Sequence, residues 1–71
     1  MNTSQILALA RKNLGGDMES SSRLCLADAV SLYDKGEYAY ACKRALDSLS
    51  YSVGIFHPDY QKAHKSIKEQ A

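Results

Sequence analysis

Residues 24–56 read LCLADAVSLYDKGEYAYACKRALDSLSYSVGIF, and their pattern determines the fold of this chain. Apolar residues recur at steps of three and four on both sides of Gly36, which is the spacing of amphipathic helices. Gly36 lies where the first helix must stop, because glycine adopts a positive φ without steric cost. The short turn from Lys35 to Glu37 then predicts an antiparallel αα-hairpin.

The second arm of the hairpin carries the longer apolar stripe, which covers five helical turns. We expect this stripe to face the first arm and to form the core, because residues three and four apart share one side of a helix. Its members are Tyr38, Ala41, Cys42, Ala45, Leu46, Leu49, Val53 and Phe56.

The length of the chain, 71 residues, predicts a single domain of marginal stability. Chains of this size commonly gain stability from a disulfide, a metal or a second copy. In a hairpin that turns at Gly36, Cys25 lies opposite Asp47 and Cys42 lies opposite Val30. That offset is about 7 Å along the helix axis, so we expect two buried, free thiols in a reducing compartment.

Helix-capping residues predict where the remaining helices begin. Asn2 and Gln5 have the spacing of a capping box, and Asp17 is the expected cap of the next helix. Three consecutive serines predict that this next helix is frayed until Arg23. Pro58 suits the first position of a last helix. The chain is therefore predicted to be all-α, a small antiparallel bundle or array of three to four helices, at about 3–14, 17–34, 37–56 and 58–69.

The turn also resembles one unit of the tetratricopeptide (TPR) family. The residues that carry this resemblance, over roughly residues 24–57, are Gly36-Glu37-Tyr38-x-x-Ala41-x-x-x-Ala45-x-x-Ser48-Leu49, which look like the second half of a TPR motif. Asp28 departs from the family pattern, and Pro58 falls about five residues later than the closing proline of a TPR. The resemblance implies a scaffold that binds proteins or peptides without catalysis.

The residue types that carry chemistry do not form a catalytic or metal-binding pattern. Cys25 and Cys42 lie on apolar helix faces, where a thiol packs as a small hydrophobe. His57 and His64 lack the close spacing of zinc ligands and are separated by Pro58. We therefore expect no enzyme activity, no metal and no cofactor.

The N-terminal residues and the apolar runs bear on the location of the protein. Residues 1–5 lack the basic start and the long apolar run of a secretion signal. No apolar segment approaches the ~20 residues that span a membrane. The sequence thus predicts a cytoplasmic protein that does not bind membranes.

A second stripe on the third helix is the candidate binding surface. Tyrosine and arginine are enriched among the residues that dominate protein interfaces. The stripe comprises Tyr40, Arg44, Asp47, Tyr51 and Ile55. Alternatively, the first or the fourth helix covers these residues and makes them ordinary core.

The leading hypothesis is a small protein-protein interaction module that acts as an adaptor, regulator or inhibitor, with self-association as one use of the same surface. The alternative is a dimeric regulator that binds nucleic acid. Its basic patch would be Lys62, Lys65 and Lys68, together with Arg11 and Lys12. The formal net charge of +1 does not favour this alternative.

Overall fold

The computed structural model describes residues 1–70, with Gln70 described by its backbone alone. These residues form four α-helices and no strand, which confirms the predicted all-α bundle. The helices are α1 (Thr3–Lys12), α2 (Glu19–Asp34), α3 (Tyr38–Ser52) and α4 (Pro58–Gln70).

The turn between α2 and α3 has the predicted position and conformation. Gly36 has a φ of +82°. Its N–H donates to the carbonyl of Tyr33 at 3.0 Å, and the N–H of Glu37 donates to the carbonyl of Leu32 at 2.9 Å. This pair of bonds is a Schellman motif, which satisfies two carbonyls that the end of α2 would otherwise leave unpaired.

The register of the hairpin is also as predicted. Asp28 and Arg44 each lie eight residues from Gly36 along the chain, and the Arg44 Nε donates to the Asp28 Oδ2 at 3.1 Å. Further from the turn, the buried Ser22 and Ser48 bond reciprocally. Each hydroxyl donates to the other residue's carbonyl, at 3.0 Å and 2.8 Å. Small side chains at this crossing allow the two helices to approach closely.

α1 and α4 pack on one side of the hairpin and run antiparallel to each other. The Ser66 hydroxyl donates to the carbonyl of Met1 at 2.8 Å. At the opposite end, Asn13 Nδ2 donates to Asp59 Oδ2 at 2.9 Å. The molecule is thus a flat, two-layered bundle with dimensions of 30 × 23 × 14 Å.

The core lies between the two layers and contains few large side chains. Ile6 and Leu49 are the largest fully buried side chains, followed by Cys42. The buried apolar residues of this core are Ile6, Leu7, Ala10, Leu26, Ala29, Cys42, Ala45, Leu49 and Ala63.

The predicted end of the third helix is wrong by one turn. α3 ends at Ser52 rather than at residue 56, because Gly54 takes a φ of +88° and its N–H donates to the carbonyl of Leu49. Phe56, predicted to be a core residue, therefore lies in the following loop and is 89% exposed. Tyr38 is also exposed rather than core, although its ring lies 5.1 Å from that of Tyr33.

Two further boundaries differ from the predicted ones. α1 ends at Lys12 instead of residue 14, with Asn13 at its C-cap. α2 begins at Glu19, and the residue at its N-cap position is Met18 rather than Asp17. The serines do not fray this helix, since Ser22 is buried against Ser48. The capping box of Asn2 with Gln5 and the start of α4 at Pro58 are confirmed.

Candidate protein-binding surface

Four of the five predicted surface residues lie together on the side of α3 that faces away from the core. Tyr40 is 60% exposed and Tyr51 is 43% exposed, and the side chains of Arg44 and Asp47 are also partly exposed. Neither α1 nor α4 covers these residues, since both helices pack on the other side of the hairpin. We call this set, Tyr40, Arg44, Asp47 and Tyr51, the open face.

Ile55 does not belong to the open face. Its predicted place there assumed that α3 continued for another turn, but Gly54 ends the helix first. Ile55 instead lies in the loop before α4, where its carbonyl accepts a hydrogen bond from Gln61 Nε2 at 2.5 Å. The side chains of Ile55 and of the next residue, Phe56, are both exposed. This loop therefore presents a second apolar surface to solvent.

Arg44 is held by two carboxylates at the centre of the open face. Its Nε donates to Asp28 on α2, and its Nη1 donates to Asp47 at 3.0 Å. All three side chains are at least 40% exposed, so these ion pairs contribute about 0–1 kcal/mol each to folding. Their main effect is on geometry, because two bonds to a planar guanidinium fix its orientation.

Cys25 lies close to this charge cluster and apart from the main core. Its thiol is buried, and burial raises its pKa, while the nearby Arg44 lowers it by a smaller amount. The neutral thiol is therefore favoured, and the side chain serves as packing between α2 and α3. Cys42, on the core side, donates to Thr3 Oγ1 at 3.3 Å, and both thiols are free.

Two residues of α2 also lie at this surface. Asp28 binds Arg44, and Leu24, which is 71% exposed, lies one helical turn before it. The equal spacing of Asp28 and Arg44 from Gly36 was a signal for their pairing. It is informative only once the turn is fixed, because the two residues lie 16 positions apart.

The basic residues lie in the other layer of the bundle. Lys62, Lys65 and Lys68 are exposed on α4, and they form no ion pair with any residue that the structure describes. Arg11 and Lys12 are exposed in the last turn of α1, the neighbouring helix. This layer contains five cationic side chains and only two carboxylates, whereas carboxylates are in excess over the rest of the chain.

The described residues offer neither a cluster of metal ligands nor a membrane-spanning helix. No group of three or more histidine, cysteine, aspartate or glutamate side chains is placed to hold a metal ion within residues 1–70. Within the same residues, no helix combines the length and the apolar character that crossing a membrane requires. Comparisons with family models, with curated proteins and with solved structures found no match to this chain.

Proposed function

We propose that this chain is a protein-protein interaction module that acts as an adaptor, regulator or inhibitor of a larger protein, without catalysis of its own. The observation that carries the proposal is the open face. Two tyrosines remain exposed one turn on either side of an oriented arginine and its aspartate, on a regular helix.

The side chains of the open face are suited to binding at low entropic cost. A tyrosine offers a large contact area with only two rotatable side-chain bonds. The Arg44 guanidinium is oriented by Asp28 and Asp47 before any partner arrives, so less conformational entropy is lost on association. The resemblance of the turn to a TPR unit implies the same class of function. The free thiols fit a reducing compartment, which supports action in the cytoplasm.

The test uses the variant Tyr40→Ala/Tyr51→Ala as bait for partners in a cell lysate. Truncation of a hot-spot aromatic costs about 2 kcal/mol or more of binding energy, which is roughly thirtyfold in affinity for each residue. We expect partners that the wild-type chain captures to be lost by this variant. Circular dichroism should show helical content like that of the wild type, because alanine favours helix at least as well as tyrosine.

The matched control is Lys65→Ala/Lys68→Ala, which truncates two exposed side chains of the opposite layer. This control should retain every partner of the wild type. A folded tyrosine variant that still captures all of those partners would exclude the open face as the binding surface.

A second candidate function is nucleic-acid binding by the α1/α4 layer. One observation favours it. Hydrogen bonds at both ends of α1 connect it to α4, which places Arg11, Lys12 and the three lysines of α4 in one layer. If the lysines contact phosphates, the affinity for nucleic acid should fall steeply as the salt concentration rises from about 50 to about 200 mM. A salt titration with a labelled duplex therefore separates this candidate from a tyrosine-centred interface.

A further inference from the structure

The open face has an order of residues that is complementary to itself. Tyr40, Arg44, Asp47 and Tyr51 are separated by four, three and four residues, so the pattern is symmetric about a point between Ala45 and Leu46. If a second α3 lies antiparallel across that point, each Tyr40 faces the partner's Tyr51. In the same register each Arg44 faces the partner's Asp47. One two-fold axis thus pairs aromatic with aromatic and cation with anion.

We propose that the open face binds a second copy of this chain, through antiparallel packing of α3 on α3 about a two-fold axis opposite residues 45 and 46. The proposal rests on the proposed function, since it names the partner of the same surface. A two-fold interface must be self-complementary, so a residue that faces another must be faced by it in return. The order aromatic, cation, anion, aromatic meets that condition.

The local geometry of Arg44 leaves a donor for the partner. Within the chain, Arg44 uses Nε for Asp28 and Nη1 for Asp47, and no bond from Nη2 occurs among the described residues. The side chain of Asp47 is 50% exposed, so its carboxylate is accessible to a partner. In the antiparallel register the two residues exchange two ion pairs. A parallel register would instead place Arg44 against the partner's Arg44.

A stable dimer requires a large contact area. A standard interface buries about 800 Å² per partner. That is roughly a fifth of the 4459 Å² that this chain exposes, so a dimer of standard size would have to use much of the broad side of the bundle, which measures 30 × 23 Å. The monomer has a small core, since Ile6 and Leu49 are the only fully buried large aliphatic side chains among the described residues. Burial of further apolar surface in a dimer would therefore stabilise the fold. Small domains commonly gain stability from a second copy.

The test is complementation between two charge-reversed variants, Arg44→Asp and Asp47→Arg, in sedimentation equilibrium. In a dimer of either variant with itself, two repulsive pairs replace two attractive ones, so self-association should weaken about a hundredfold or more. In a mixture of the two variants every cation again faces an anion. We therefore expect the mixture to form a heterodimer with an affinity close to that of the wild-type dimer.

Circular dichroism of each variant checks that the chain is folded. Arg44→Asp also places a like charge beside Asp28 within the chain, so Tyr51→Ala is added as a variant that should weaken the dimer without that repulsion. A mixture that stays monomeric would overturn the register. A wild-type dimer that none of these variants weakens would overturn the face. A wild-type chain that is monomeric up to about 1 mM, a concentration that detects even weak association, would overturn the second copy as partner. In that last case the proposed function would still stand if the Tyr40→Ala/Tyr51→Ala variant loses a captured protein.

Discussion

The two sides of α3 differ in a direction opposite to the usual one. The core side buries mainly small residues, Ala41, Cys42, Ala45 and Ser48. Leu49 is its one fully buried large side chain, and Leu46 is partly buried beside it. The other side carries three large side chains, those of Tyr40, Arg44 and Tyr51, and all three are partly exposed. The comparison separates two uses of side-chain volume. Small residues allow α2 and α1 to approach α3 closely, while the large ones remain available for a partner.

This distribution has a cost in folding stability. A fully buried tyrosine removes roughly 150 Å² or more of surface from water. Tyr40 is 60% exposed and Tyr51 is 43% exposed, so together they give up about half of that burial. A chain of 71 residues has little stability to spare. The proposed function would give these exposed side chains a use, and variants on the two sides of α3 should then differ in their effect on stability.

The largest effect is expected on the core side, from Leu49→Ala. Leu49 is fully buried, and truncating a buried leucine leaves a cavity that costs about 2–5 kcal/mol. A small domain loses most of its folded population at that cost, so circular dichroism should show a largely unfolded chain. Tyr51→Ala, two residues further along α3 and on its opposite side, is the control. At a concentration where the chain is monomeric, this variant should unfold at nearly the urea concentration of the wild type. Equal losses in the two variants would remove the distinction between the sides.

A smaller effect is expected where α2 crosses α3, from Ser48→Leu. The Ser48 side chain is fully buried against Ser22, so a leucine would force the helices apart and cost about 1–3 kcal/mol. Thermal melting measures this loss as a lower Tm. Ala39→Leu adds the same side chain at an exposed position of α3, and we expect its stability to stay within about 0.5 kcal/mol of the wild type. A Ser48→Leu variant as stable as that control would mean that the helices do not approach closely.

The smallest of these effects is expected at the turn, from Gly36→Val. A Cβ at Gly36 would meet no atom within 4 Å, so the cost comes from the positive φ alone. A β-branched residue resists that conformation, and we expect a loss of about 1 kcal/mol or more. Gly36→Asn should lose less, because asparagine tolerates positive φ better than other residues with a side chain. If valine and asparagine give the same Tm as glycine, Gly36 is not left-handed in solution.

The hairpin and the open face were predictable because each depends on local spacing. Gly36 interrupts two periodic segments, and the steps from Tyr40 to Tyr51 place those residues on one side of any helix. The end of α3 was missed because the apolar stripe continues through Val53 to Phe56, and this pattern outweighed the helix-stopping glycine inside it, Gly54. Periodicity alone does not show whether a glycine takes a positive φ.

Contacts between elements were the part that the sequence did not predict. The reciprocal bonds of Ser22 with Ser48 depend on how closely α2 and α3 approach, and a run of three serines looks like a weak helix by propensity alone. The sequence also did not decide whether the open face is exposed, because that depends on which side of the hairpin α1 and α4 pack against. That choice is made by packing over the whole chain.

Urea unfolding of Tyr40→Ala/Tyr51→Ala measures whether the open face takes part in the core. The measurement is made at a concentration where the wild type sediments as a monomer, so that binding does not contribute to stability. We expect a free energy of unfolding within about 1 kcal/mol of the wild type, because both tyrosines lie outside the core. A variant that is unfolded without urea would show that the tyrosines are core residues, because each truncation would then cost about 3–5 kcal/mol, and it would exclude the open face as a free surface.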